Sequence, residues 1–262
     1  MISVTNKLKP RIVGWDGAGA TESYSRTKGI MLILTCSILW GVSGTVAQYV
    51  FQEQNLSVEW LTVVRLLLSG VLLLAFSYRR DKNHIWKVWQ NRRDGLSLTL
   101  FSILGMLPLQ YSFLAGIQHG NAATATVLQF LGPAIITCYL AIRSKRLPTL
   151  KEVSGVSLAI LGTFFLVTHG NIHSLSISGW ALFWGLSSAL ALAFYTLQPY
   201  RLLLKWGSDI VVGWGMLVGG LALSFIHPPW QIEGQWSFPT YAGVLFIIIF
   251  GTLVAFYCYL EA

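Results

Sequence analysis

Arg65 is the eighth residue of an apolar run, and it is the only one of the chain's eighteen Lys and Arg residues to lie inside such a run. A guanidinium stays charged and presents five N–H donors in a flat fork, so its natural chemistry is to hold a carboxylate, another anion or a carbonyl oxygen. Near the centre of a bilayer it costs at least about 2.5–3.5 kcal/mol, which drives it toward the interior of a bundle or a wet cavity. Three roles remain open. Arg65 either snorkels or pins an unwound stretch of backbone, or it neutralises an anionic group on a bound small molecule, or it meets a transient partner during gating.

The other polar side chains in apolar surroundings suit a pocket that is largely apolar with a few polar anchors. Gln129 stands one helical turn before Pro133, which removes a backbone hydrogen bond and crowds the Gln129 carbonyl. The resulting helix break has to face protein or water. Trp40, Ser43, Gln110, Tyr111, Tyr195 and Tyr257 complete the candidate binding residues. For each aromatic, packing or anchoring at a membrane interface is the simpler role. For Gln129 a hydrogen bond between helices stands level with contact to substrate, and Gln110 and Gln129, like Arg65, would be costly to expose to lipid. Gly41 with Gly44, and Gly215 with Gly219, are read as close-packing positions.

Catalytic chemistry finds no footing. No Gly-rich loop leads into a Lys-Ser or Lys-Thr pair, and no Ser, His and Asp share one depth. His169 and His173 fall beside Gly170 and Asn171 in a connection, so no metal or cofactor site is read there. Acids are missing from the apolar runs except Glu59, at the start of the second.

The elements that position these residues are eight apolar runs: 29–51, 58–77, 95–117, 122–142, 153–168, 179–200, 210–226 and 241–260. Most have the roughly 20 residues that a hydrocarbon core asks of a helix, and the fifth and seventh are shorter. A mean hydropathy of +0.61, with 54% hydrophobic and 11% charged residues, points to an all-α polytopic membrane protein. The remaining seventeen basic residues sit in the first 28 residues and in alternate connections, while 52–57, 118–121, 169–178 and 227–240 contain none. Such asymmetry places the N-terminus and the basic connections in the cytoplasm, in a multi-pass protein of the cell membrane. Lipid headgroups account for the net charge of +8, and no nucleic-acid partner is needed. The three cysteines, all in apolar runs, are read as buried free thiols. Residues 1–28 are read as an exposed cytoplasmic tail without a cleavable signal.

An internal repeat orders the runs. At an offset of 150 residues Gly29 meets Gly179, Ser37 meets Ser187, and Ser69-Gly70 meets Gly219-Gly220. At an offset of 146, Gly105 with Tyr111 overlies Gly251 with Tyr257. The first unit (29–168) holds five runs, an odd number, so the second (179–262) starts from the opposite face, as in many secondary transporters. The second unit shows three runs, so eight of an expected ten helices are present, as if truncated. A transport-incompetent fragment is therefore the alternative to a working carrier.

These residues resemble the EamA family of the drug/metabolite transporter superfamily. The likeness rests on Ile38-Leu39-Trp40-Gly41, Arg65-Leu66-Leu67-Leu68-Ser69-Gly70, Tyr111 with Ala122-Ala123-Thr124-Ala125-Thr126, Pro133, and Gly162-Thr163-Phe164. In the second unit Ala193-Phe194-Tyr195-Thr196 and Gly251-Thr252 with Tyr257 follow the same pattern. The resemblance implies ten helices in two inverted five-helix units, exporting amino acids or other small metabolites, commonly by exchange with protons. It implies a small-molecule partner and a lipid bilayer; pairing into a homodimer is compatible with the sequence and not specified by it. Two departures stand out: the ninth and tenth helices have no counterpart, and Ser144-Lys145-Arg146 replaces a frequent Gly-Glu-Arg.

Overall fold

The computed structural model describes residues 18–80, 84–145, 149–168, 177–255 and 258, with side chains for all of these except 18–26, 80 and 84. Every regular element among them is helical. Helix α1 spans Ala18–Gln52, α2 Val58–Arg80 and α3 His84–Gln90. A continuous rod from Arg92 to His119 is formed by α4 (Arg92–Phe101), a π-helical segment (Ser102–Met106) and α5 (Leu107–His119). Then come α6 (Ala122–Gln129), α7 (Gly132–Arg143), α8 (Leu150–Thr168), α9 (Gly179–Leu197), α10 (Tyr200–Trp206) and α11 (Ser208–Ser224). The last, α12 (Phe238–Ile248), runs into a second π-helical segment (Ile249–Val254). Six helical stretches are long and apolar enough to cross a membrane, and Ser208–Ser224 and Phe238–Val254 are shorter apolar helices. The chain is an all-α polytopic membrane protein.

Three details depart from the sequence reading. Helix α1 is described from Ala18 onward, so residues 18–28 of the expected tail are helical. Extending a formed helix needs no apolar face, only residues that tolerate one, and Ala18, Ala20, Glu22, Arg26 and Lys28 do. The short helices α3 and α10 occupy two connections that carry no run long enough to announce them. Cys36 and Cys258 are buried in one cluster with Ala255, but Cys138 is exposed on α7, on the outside of the bundle.

Local chemistry explains where the helices start. Asn91, Asn121 and Ser178 cap α4, α6 and α9 by accepting from backbone N–H groups of the first turn, which would otherwise be unsatisfied. Between α6 and α7 the helix breaks at Phe130 and Leu131, and Pro133 sits in the first turn of α7, where its missing N–H does no harm.

The central contact of the bundle is α2 against α11, and its closeness depends on glycine. A Cβ at Gly70 would lie 2.6 Å from the Leu217 backbone nitrogen, and one at Gly220 would lie 3.0 Å from that of Leu67. The two contacts are reciprocal under the 150-residue offset, because Leu67 and Leu217 are also 150 residues apart. The π-helical segments are paired too: the first contains Gly105 and the second Gly251. Gly105 faces Phe194 and Tyr195 on α9, and Gly251 faces Ser43 on α1. On α11, Gly215 is pressed by Phe101 and Gly219 by the Ser102 carbonyl, whereas Gly41 meets open space.

Each end of the bundle is tied. At the basic end Asp94 accepts from Lys205 Nζ at 2.6 Å and from Trp206 Nε1 at 3.1 Å, and Trp214 Nε1 donates to the Ile85 carbonyl. At the other end the 225–237 connection folds over the α1–α2 turn. Gln54 Oε1 accepts from the hydroxyls of Ser237 and Thr240, and Trp60 Nε1 donates to the Pro229 carbonyl.

The α2–α11 packing has a direct test. Gly70→Val and Gly220→Val should each cost about 3 kcal/mol through backbone displacement, seen as a fall of roughly 5–10 °C in the thermal unfolding midpoint in detergent. Gly155, with nothing within 4 Å, is the control, and Gly155→Val should shift the midpoint far less. Equal shifts at all three positions would refute the close contact.

Candidate functional site

The α2 sequence puts Thr62, Arg65 and Ser69 at intervals of three and four, so they share one face of the helix. That face is buried: Thr62 and Ser69 are wholly enclosed and Arg65 is 6% exposed. Arg65 therefore sits inside the protein and does not reach toward lipid. Its Nε donates to Thr252 Oγ1 at 2.7 Å, and the Thr252 hydroxyl donates in turn to the Ile247 carbonyl at 3.0 Å. Thr252 lies in the second π-helical segment, where the widened turn brings its hydroxyl to a carbonyl five residues back. Insertions of this kind are frequent at functional sites. No carboxylate pairs with Arg65 among the described residues.

Ser43 completes the same junction from α1. It is buried, and it presses on Gly251, the residue before Thr252. Trp40, one turn earlier on α1, is half-buried and packs on the cluster of Leu66, Phe101, Met106 and Trp214. Tyr195 packs on that cluster from α9, its ring 5.3 Å from that of Phe101. The structure thus brings Ser43 and Arg65 to the second π-helical segment, while Trp40 and Tyr195 pack on the neighbouring apolar cluster, Tyr195 beside Gly105 of the first π-helical segment. Tyr257 lies outside the described residues, as do His169 and His173.

Tyr111 belongs to a second polar group, nearer the end opposite the basic connections. Its hydroxyl donates to Glu59 Oε1 at 2.7 Å, and Ser57 Oγ donates to Glu59 Oε2 at 2.9 Å. Glu59 occupies the first turn of α2, where the helix dipole favours a negative charge. The Tyr111 ring meets Trp184 edge-on at 5.3 Å. Gln110 is buried beside Tyr111 on α5. Gln129 is half-buried at the last turn of α6, next to the helix break. The principal neighbour of that break is α9: Leu128 fills the space over Gly185, and Leu192 crowds Gly132. Arg65 instead meets the second π-helical segment.

Three residues of this arrangement were not singled out as binding residues from sequence. Thr252 is recognisable only once Gly251 is seen to repeat Gly105. Ser69 stands four residues beyond Arg65, a spacing that placed it on the same face from the start. Glu59 gains interest only through Tyr111, 52 residues away.

Comparison with known proteins agrees with this architecture. Residues 27–168 match the model of the EamA-like transporter family. A protein of Salmonella typhimurium described as "Uncharacterized inner membrane transporter YicL" is 41% identical over 90% of this chain and 79% of its own length. "Uncharacterized transporter sll0355" of Synechocystis is 24% identical over 90% of this chain and 74% of its own. A solved crystal structure of 16% identity superposes with a TM-score of 0.57, covering 91% of this chain and 78% of the other, which supports the fold alone.

The arginine–threonine bond yields a measurable expectation. Thr252→Val keeps shape but leaves a buried charged donor unpaired, and should cost about 1.5–3 kcal/mol in detergent unfolding. Thr252→Ser keeps the acceptor and should cost clearly less. If Val and Ser behave alike, the bond does not hold Arg65.

Proposed function

This chain belongs to the EamA-like transporter family, and from that premise we propose that it exports a small metabolite, such as an amino acid, by alternating access. The multi-pass, all-helical fold and the transporter relatives support carriage of a small molecule across a bilayer rather than catalysis. The observation that carries the reading is Arg65: a guanidinium enclosed by the bundle, bonded to a threonine hydroxyl, with no acid beside it among the described residues. A cation at this depth is expected to be paired with an acid, with backbone carbonyls or with a visiting anion. One with no acid beside it is suited to meet the polar end of a visiting molecule.

In this reading substrate binds between two inverted units, 29–168 and 179–262. Arg65, Ser43 and Gln129 orient its polar groups, with Gln110 behind Tyr111, and Trp40, Tyr111, Tyr195 and Tyr257 shape the apolar walls. The reciprocal Gly70–Leu217 and Gly220–Leu67 contacts and the paired π-helical segments support the inverted repeat. Rocking of one unit against the other would then break the ties at one end while keeping those at the other. The basic connections make their end cytoplasmic, so the Gln54–Ser237 and Trp60–Pro229 contacts close the outer face.

Export from cells producing the chain, measured across a panel of isotope-labelled amino acids and related metabolites, tests the reading. At least one compound should leave faster than from vector-only cells. Arg65→Ala should abolish the difference and Arg65→Lys should reduce it about tenfold or more, since an ammonium does not reproduce the fork. Vector-level export by the unaltered chain would sink the proposal.

A further inference from the structure

Buried hydroxyls on the spanning helices mostly follow one habit. Thr62, Ser77, Ser102, Ser112 and Thr168 each donate to the carbonyl four residues earlier, which satisfies a polar hydrogen without help from another helix. Ser188, on α9, departs from it, and so does Ser69. It is wholly buried in α2, and its Oγ has no hydrogen-bond partner among the described residues. One turn before it, on the same face, stands Arg65, whose Nε–Thr252 bond engages one of five N–H donors. Two adjacent groups whose further donors meet no acceptor among the described residues, both nine-tenths buried or more, would be costly in an apolar interior with nothing to accept from them.

We infer that Arg65 and Ser69 form a carboxylate subsite, so that the transported molecule is a small carboxylate-bearing metabolite held by that group; this rests on the transport reading above. The two Nη groups of a guanidinium match the two oxygens of a carboxylate, and the Ser69 hydroxyl adds a donor from one turn away. Thr252 accepts at Nε and is itself fixed by the Ile247 carbonyl, so it sets the plane of the fork. Charge narrows the class further. Arg65 is the sole Lys or Arg in the eight apolar runs, so the site neutralises one negative charge. A phosphate ester, closer to a dianion, would leave one charge unmet at this depth. A neutral amide would leave the cation unmet instead.

The experiment uses the full chain in detergent and reads the thermal unfolding midpoint at about 0.1 M sodium acetate, acetamide or methyl phosphate, with ionic strength matched by sodium chloride. Acetate should raise the midpoint by about 2–4 °C over chloride, while acetamide should leave it unchanged. The acetate response should vanish in Arg65→Met and fall by half or more in Ser69→Ala, and Ser224→Ala should retain it. Equal responses to acetate and acetamide, an unchanged acetate response in Ser69→Ala, or a larger response to methyl phosphate would each overturn the assignment. The unaltered chain and Ser69→Ala suffice if Arg65→Met does not fold. Export in cells separates the two readings. A chain that exports without discriminating acetate loses the subsite alone, and one that discriminates acetate without exporting loses transport alone.

Discussion

The bond from Arg65 to Thr252 ties the most expensive group in the membrane interior to the least regular stretch of helix. A charge at that depth is held only if every surrounding element supplies a surface that excludes lipid. Helix α2 brings the cation, the second π-helical segment the hydroxyl, and α1 closes the junction through Ser43 against Gly251. Each contact needs the others. Without the glycine, α1 could not approach; without the π-helical turn, the threonine would sit elsewhere on its helix.

Much of this was written in composition and spacing. The eight apolar runs appear among the described residues as six helical stretches long enough to cross a membrane and two shorter apolar helices. The reason is that in a bilayer helix formation follows from the backbone's need for internal hydrogen bonds, and hydropathy reports that need directly. The burial of Arg65 was legible for the same reason. Partnership was not. That Thr252 and not an acid meets Arg65 depends on which helices adjoin, and a sequence without strong amphipathic faces says little about that. Glu59 looked like an ordinary residue at a helix start until Tyr111 was found bonded to it. Helices α3 and α10, each of seven residues, are held by contacts such as Trp214 to Ile85 and Trp206 to Asp94, which no local pattern encodes. Cys138 shows the limit from the other side: an apolar run tells which residues avoid water, not which of them face lipid.

The two ends of the bundle are joined by different chemistry. At the basic end the ties include the Lys205–Asp94 ion pair and two indole N–H bonds, beside the neutral bond from Gln198 to Ser97. At the other end they are neutral, centred on the Gln54 amide and a tryptophan. Lys205 is half exposed, so its bond to Asp94 is weakened by solvent and salt, whereas the neutral ties respond little to ionic strength. The two closures therefore differ in how the surrounding medium can modulate them.

The mutual glycine contacts of α2 and α11 carry a consequence for how such a chain can change over generations. Each glycine abuts main chain, so a larger residue there cannot be accommodated by the neighbour adopting another rotamer. Drift at 70 and 220 is confined together, while the lipid-facing surfaces of α7 and α8 are free to diverge. Divergence would then be slowest in the places where two peptide backbones touch.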